Sequence, residues 1–378
     1  MEFKTYRFDE VTTNFDKKRV PLSGSQREKR RGPYRYYGAQ GVIDYIDDYI
    51  FDGTYLLIAE DGENLKSKKQ NIAQIATGQF WVNNHAHIVQ GNDLCDTRFL
   101  CYLLNSMDLS GYVTGSAQPK LSQANLNAVT ITIPDIAVQR KIVEYLYTID
   151  QKIETNQRIN DNLQQQAQAI YRDWFVDYTP FGGTPPETWV RGKLKDIIRL
   201  QKNAIKAGSA PELPYLPIDT IPMKTFAVSD FRPNAEAQSS LIRFSKNDIL
   251  IGAMRVYFHR VVIAPCDGIT RTTCFVLNPI DPAYLSFGLL TCDLDSSIDH
   301  AQNTSKGSTM PYAVWDGGMG EIEIAIPPIE VAEQFNAVIL PMLRQIQNSY
   351  FEVRSLRELR DGLLPRLMSG ELDISNLT

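Results

Sequence analysis

Two stretches of the chain carry the same helical seam. After Ile133-Pro134, mostly apolar positions recur at Ile142, Leu146, Ile149, Ile153, Asn156, Asn160, Leu163, Ala167 and Ile170. After Ile326-Pro327 they recur at Phe335, Ile339, Met342, Ile346, Ser349, Val353, Leu356, Arg360 and Leu363. Steps of four and three alternate, which is the a/d spacing of helices packed along a shared stripe. Each stretch is therefore predicted as one long helix of about 36–40 residues, roughly 55–60 Å at 1.5 Å per residue. Pro341 is expected to kink or interrupt the second, because it lacks a backbone donor and crowds the preceding turn. Upstream of each seam the pattern changes to short β-branched and aromatic runs bounded by Gly, Asn and Asp. These predict strands at 55–59 and 128–133, and again at 248–252, 260–264 and 321–326. One helical patch interrupts each set, at 97–105 and 282–290.

The two halves also align residue by residue. Ile133-Pro134-Asp135-Ile136-Ala137-Val138 matches Ile326-Pro327-Pro328-Ile329-Glu330-Val331 at a shift of 193, and 51–59 matches 244–252 at the same shift. Gly115-Ser116-Ala117-Gln118-Pro119 matches Gly307-Ser308-Thr309-Met310-Pro311 at 192, and 84–89 resembles 272–277 at 188. Matches in the same order with small drifts in shift indicate an internal duplication. The expected fold is α+β: two similar globular domains, each followed by a long α-helix. The two helices are expected to pair antiparallel as a coiled-coil-like spacer with pseudo-two-fold symmetry. Asn156 and Ser349 would then face each other at the crossing, where a polar pair costs stability but fixes register. Two helices that each pack only on their own domain remain the alternative. The expected boundaries are a first domain at 1–134, its helix at 135–178, a Pro/Gly-rich linker at 179–186, a second domain at 187–327, and a helix with its tail at 328–378.

A length of 378 residues suits two or three domains. No apolar run is long enough to span a membrane, and the charged start MEFKTYRFDE has no signal-like h-region. Five cysteines without a CxxC pair point to reduced thiols and a cytoplasmic setting, against disulfides or a zinc site. The net charge of −5 conceals opposed blocks. Lys17, Lys18, Arg19, Arg27, Lys29, Arg30, Arg31 and Arg35 are followed by Asp44, Asp47, Asp48, Asp52, Glu60, Asp61 and Glu63. Such blocks shape local potentials more than the sum does. His85 and His87 alternate as on one strand face, but no Cys or carboxylate pattern completes a metal site. Lys193, Lys202 and Lys306 lack the Walker A frame. Asn278-Pro279-Ile280-Asp281 departs from the Asn/Asp-Pro-Pro-aromatic motif of base methylation.

Two similar but unequal modules on one spacer suit duplex DNA, because paired readers at fixed separation address two half-sites. The helix segments 136–146, 149–156 and 169–177 resemble the central conserved region of type I restriction–modification specificity subunits. The tail Leu363-Leu364-Pro365-Arg366-Leu367-Met368-Ser369-Gly370-Glu371-Leu372 is similar to that family's C-terminal signature, and 36–53 with 81–87 resembles one class of its target-recognition domains. The resemblance implies a non-catalytic subunit whose two recognition domains each read half of an asymmetric bipartite DNA target. It also implies helices that set the spacing and dock two modification (methyltransferase) subunits, which bind S-adenosylmethionine. Restriction subunits using ATP with Mg would join these, and this chain would bind no cofactor itself. A self-contained DNA-modifying enzyme or a coiled-coil adaptor without DNA are the alternatives.

Arg and Lys suit phosphates and guanine, Asn and Gln suit adenine, and hydroxyls suit either. On that chemistry the first domain offers Arg27, Lys29, Arg30, Arg31 and Arg35 beside Tyr36 and Tyr37, then Lys66, Lys68 and Lys69. It further offers Asn83, Asn84 and His85, and the turn with Ser116, Gln118 and Lys120. The second domain offers Arg255, His259, Arg260, Arg271, Thr272, Lys306 and Ser308. Ordinary loop hydrogen bonding is the competing role for each, most of all for Asn83-Asn84-His85.

Overall fold

The computed structural model describes residues 2–67, 69–115, 118–238 and 240–374. They form two compact units, one made of Met1–Gln151 with Arg357–Thr378, the other of Lys152–Leu356. Both long helices contribute to both units, so the units do not end where the sequence pattern changes from strand to helix. The fold is mixed α+β, and among the described residues no helix is long and apolar enough to cross a membrane.

The first unit runs β1 (Phe3–Arg7), β2 (Thr12–Asn14), α1 (Gly24–Glu28), β3 (Arg31–Gly38), β4 (Gly41–Ile46), β5 (Phe51–Ala59), α2 (Asn64–Ser67), β6 (Ala73–Val82), β7 (Ala86–Gly91), α3 (Thr97–Ser106), α4 (Gln123–Asn127), β8 (Thr130–Pro134) and the start of α5 (Ile136–Phe175). Strands β2-β7-β5-β6-β3-β4 form one sheet, while β1 and β8 form a separate antiparallel ribbon. Asp96 starts α3 by accepting from the Arg98 and Phe99 N–H groups, which gives two of the helix's first donors a partner. Phe99, Leu100, Leu103 and Leu104 of α3 then pack with Leu56 and Ile58 of β5, and Ile142 and Leu146 of α5 join the same core.

The second unit runs β9 (Val190–Lys193), β10 (Ile198–Leu200), β11 (Ala204–Ile205), β12 (Tyr215–Leu216), β13 (Leu241–Phe244), β14 (Ile249–Gly252), β15 (Val261–Ile263), β16 (Gly268–Arg271), β17 (Cys274–Pro279), α6 (Leu285–Asp293), α7 (Asp295–Asn303), β18 (Glu323–Ile326) and most of α8 (Ile329–Met368). Its sheets are β10-β17-β14-β15 and β11-β13-β16-β12, with β9 and β18 paired as a ribbon. Helix α6 is buried along its whole length, which explains why its sequence shows little helical alternation.

Three ladders recur in both units with the same register. Leu56 opposes Val89 as Ile249 opposes Leu277. Asn14 opposes Val89 as Leu200 opposes Leu277. Arg7 opposes Thr130 as Lys193 opposes Glu323. Beyond this shared part the units differ. The first extends its sheet through β6, β3 and β4, whereas the second places β15 at that edge and adds a separate sheet.

All the seam positions of α5 and α8 are buried or half-buried. Helix α8 continues through Pro341 without interruption. Pro341 and Ala337, whose carbonyl loses its helical donor, are both exposed, so water can serve that carbonyl. Asn156 and Ser349 are both buried, but Asn156 donates to Glu352 at 2.8 Å. Glu352 lies one turn beyond Ser349, and Lys152 also approaches it at 3.4 Å.

Candidate nucleic-acid interface

The basic arm and the acidic block of the first unit meet. The β3–β4 hairpin sets Tyr36 opposite Asp44 and Arg35 opposite Tyr45. That brings Asp44 to Arg27 (3.0 Å) and Arg31 (2.5 Å), and Asp47 and Asp48 to Arg30 (2.8 and 3.4 Å). The Tyr45 N–H and the Arg27 guanidinium, with Arg31 nearby, hold the Asp44 carboxyl below its ordinary pKa. Arg27 also lies over Tyr36 and Arg30 over Trp81, at 5.1 and 5.0 Å from the ring centroids. Tyr36 is fully buried and Tyr37 nearly so, so neither ring lies on the surface. Only Lys29, Arg31 and Arg35 of this arm are exposed, and Arg31 is already paired.

A second group converges at one end of the same sheet. The Glu60 N–H donates to the His85 carbonyl, Leu121 N–H to Glu60, and Gly62 N–H to Pro119. Lys66 Nζ reaches the Gly115 carbonyl at 3.0 Å, His85 Nδ1 meets Asp61 at 2.6 Å, and Lys120 meets Glu60 at 3.2 Å. The corner therefore displays Lys66, Lys69, Asn84, His85, Gln118 and Lys120, all exposed. Asn83 instead turns inward and caps the turn, its Oδ1 accepting the His85 N–H at 2.8 Å. His85 and His87 do not share a face: His85 sits in the turn before β7, while His87 is buried between Asp16 (2.6 Å) and the Leu121 carbonyl (2.8 Å). Lys68 and Ser116 lie outside the described residues.

The second unit builds the equivalent corner from different side chains. Isolated bridges join Asp61 to Lys120 and Thr114 to Lys120; their counterparts join Met254 to Tyr312 and Lys306 to Tyr312. These pairs keep the shifts of 193 and 192 found in the sequence. Arg255, Lys306, Ser308, Met310 and Tyr312 are exposed here, and the Arg255 N–H donates to the Pro311 carbonyl at 2.8 Å. Arg271 and Thr272 are exposed at the end of β16, with the Thr272 N–H on the Ser240 carbonyl. Arg260 is spent locally, on the Ile218 carbonyl and the Phe258 ring. His259 is buried against Asp293 at 2.9 Å and is not a surface group. Sequence reasoning missed Tyr312 and Tyr257, both about half exposed. Carrying the 192 shift from Lys120 would have found Tyr312. Among the described residues no group of three His, Cys, Asp or Glu is placed to hold a metal.

Gly115 and Gly307 close the two corner turns at φ +85° and +88°. A Cβ on Gly115 would stand 2.3 Å from the Gln118 carbonyl, but on Gly307 it would stand 3.2 Å from that of Met310. Gly115→Ala is therefore expected to destabilise the first unit by about 1–3 kcal/mol, and Gly307→Ala the second by less. Amide hydrogen exchange of each unit checks the order, and equal effects would contradict it.

A family model of the type I restriction modification DNA specificity domain matches residues 1–165. The type I restriction enzyme HindI specificity subunit of Haemophilus influenzae is 30% identical, over 88% of this chain and 87% of that protein. The MjaIX specificity subunit of Methanocaldococcus jannaschii is 25% identical, over 74% and 70%. The crystal structure of the type I restriction–modification S subunit from M. genitalium has the same fold, with a TM-score of 0.71 over 97% of this chain and 96% of that one at 13% identity. With the identity to the HindI subunit extending over most of both sequences, the chain belongs to the specificity subunits of type I restriction–modification systems.

Proposed function

We propose that each corner reads one half of an asymmetric, bipartite DNA target. The observation that carries this reading is the recurrence of the same three ladders and the same bridged turn in both units with different outward side chains. A shared frame fixes position and a changed surface changes the sequence read. In this reading residues 1–134 and 187–327 are the two recognition domains, and β3, β4 and β6 in one and β11–β13, β15 and β16 in the other supply the variable parts. Lys66, Lys69, Asn84, His85, Gln118 and Lys120 face one half-site; Arg255, Arg271, Thr272, Lys306 and Ser308 face the other. Lys29, Arg31 and Arg35 serve the backbone, where contacts position the protein without reading sequence.

The long helices act as an antiparallel spacer. Within the second unit, Lys152 and Asn156 meet Glu352 while Tyr171, Trp174 and Phe175 surround Phe335, an order that supports opposite directions. The chain works as a non-catalytic subunit with two methyltransferase subunits that carry S-adenosylmethionine, and with restriction subunits that use ATP and Mg. A cytoplasmic setting suits its five unpaired thiols.

Co-expression with the modification subunit, followed by long-read mapping of methylated adenine, is expected to give one split motif with unlike halves. Binding should weaken steeply with salt. Methylation by this chain alone, or a continuous motif, would sink the proposal.

A further inference from the structure

The turn between β14 and β15 is built unlike an ordinary surface loop. Arg255 and His259 flank the single 3-10 turn Val256–Phe258, and both are left-handed, at φ 50° and 51°. Non-glycine residues hold that conformation only where their surroundings impose it. Here the surroundings are identifiable. His259 Nε2 meets Asp293 Oδ1 at 2.9 Å, and Nδ1 approaches Asp295 at 3.5 Å. The His259 carbonyl accepts from the Lys224 N–H at 2.8 Å. Helix α5 completes the anchor, with Gln168 donating to Asp293 (2.8 Å) and Gln164 to the Lys224 carbonyl (2.7 Å). At the other end the turn presents Arg255, exposed and, among the described residues, without an ion-pair or side-chain hydrogen-bond partner. Arg27, Arg30 and Arg31 are all paired with carboxylates.

We propose that the 255–259 turn is the base-reading element of the second domain, with Arg255 donating to a guanine, and that His259 is the positioning residue that fixes its direction. This rests on the reading of the corner as DNA-facing. A phosphate can be met from many directions around the backbone, whereas paired donation to guanine O6 and N7 needs the guanidinium held in the plane of one base. A strained turn tied at its far end supplies that constraint. Burial disfavours the protonated His259 ring, but the Asp293 hydrogen bond and charge, with Asp295, outweigh it and raise the pKa. Asp161, Arg172 and Lys224 line the same cavity. The anchor should therefore weaken as pH rises through the raised value.

The test uses the assembled methyltransferase complex carrying this chain. Arg255→Gln is expected to relax one G·C position of the second half-site by roughly tenfold or more, leaving the first half-site unchanged. His259→Gln should relax the same position. For the wild type, the affinity ratio between duplexes with and without that guanine should fall as pH rises through the raised His259 value, while H259Q stays flat. A uniform loss over all sequences in R255Q, or an unchanged motif, overturns the assignment of Arg255. A ratio independent of pH overturns the positioning role. If H259Q does not fold, Gln168→Ala replaces it, since Gln168 is exposed on α5 and outside the turn; no relaxation there also overturns the positioning role. A wild-type complex without any split motif overturns the DNA reading beneath both, which separates the two failures.

Discussion

Phe335→Ala is expected to destabilise the second unit by about 3–5 kcal/mol, the range for deleting a buried aromatic ring. Phe335 is fully buried, and its ring lies 4.8 Å from Phe175, 5.7 Å from Trp174 and 6.0 Å from Tyr171. Phe175 in turn packs edge-on against Phe287 of α6 at 4.7 Å. The substitution removes the ring that joins the C-terminal part of α5 to α8 and α6, and a rigid aromatic shell cannot close around an alanine. Hydrogen exchange read peptide by peptide measures the effect, because the chain's two units need not unfold together. Protection should fall across residues 152–356 and remain in the first unit. A loss below about 0.5 kcal/mol, within the range of ordinary surface substitutions, would show that this aromatic cluster is not what holds the unit. Under the proposed spacer role, F335A should also weaken methylation at the whole split site, unlike R255Q, which alters one position.

Much of the shared frame was legible because it is set by alternation and by repeated spacing. The shift of 193 relating Leu56 to Ile249 and the shift of 188 relating Val89 to Leu277 together reproduce the cross-strand register in both units. The two long helices likewise follow from apolar spacing, and the positions it marks are buried or half-buried. What was not legible depends on contacts distant in sequence. The basic and acidic blocks were visible, but only the β3–β4 register shows that Arg27, Arg30 and Arg31 are matched by Asp44, Asp47 and Asp48. Tyr36 looked like a partner of that arm on the surface and is its buried support. Pro341 looked like a break, yet an exposed carbonyl needs no helical donor. In the sequence the candidate corners are separate polar turns, and only the bridges between them make each one a surface.

Asp16→Ala is expected to cost the first unit about 3–5 kcal/mol, the range for removing one partner of a buried pair. Asp16 accepts from His87 at 2.6 Å and from the Ile88 N–H at 2.8 Å, with Arg19 at 3.5 Å. Removing the carboxylate leaves the His87 ring nitrogen and the Ile88 amide buried without it. Burial acts to raise the Asp16 pKa, but the His87 hydrogen bond, the Ile88 amide and the charges of His87 and Arg19 outweigh it and lower the value. A lowered carboxylate pKa contributes stability above its unfolded value of about 3.9 and loses it as pH falls through the folded value. The wild type should therefore lose protection of β7 in acid. Asp16→Asn, which keeps an acceptor for Ile88, should be less protected at neutral pH and flatter on the acid side; an acid limb as steep as the wild type's would exclude Asp16 as its source. The effect should reach the corner as well. His87 Nε2 holds the Leu121 carbonyl at 2.8 Å, beside Lys120, and the residues just before β7 form the turn that presents His85. Asp16→Ala should consequently weaken recognition of the first half-site and leave the second unchanged, because the two corners are buttressed by different histidine–aspartate pairs in different units.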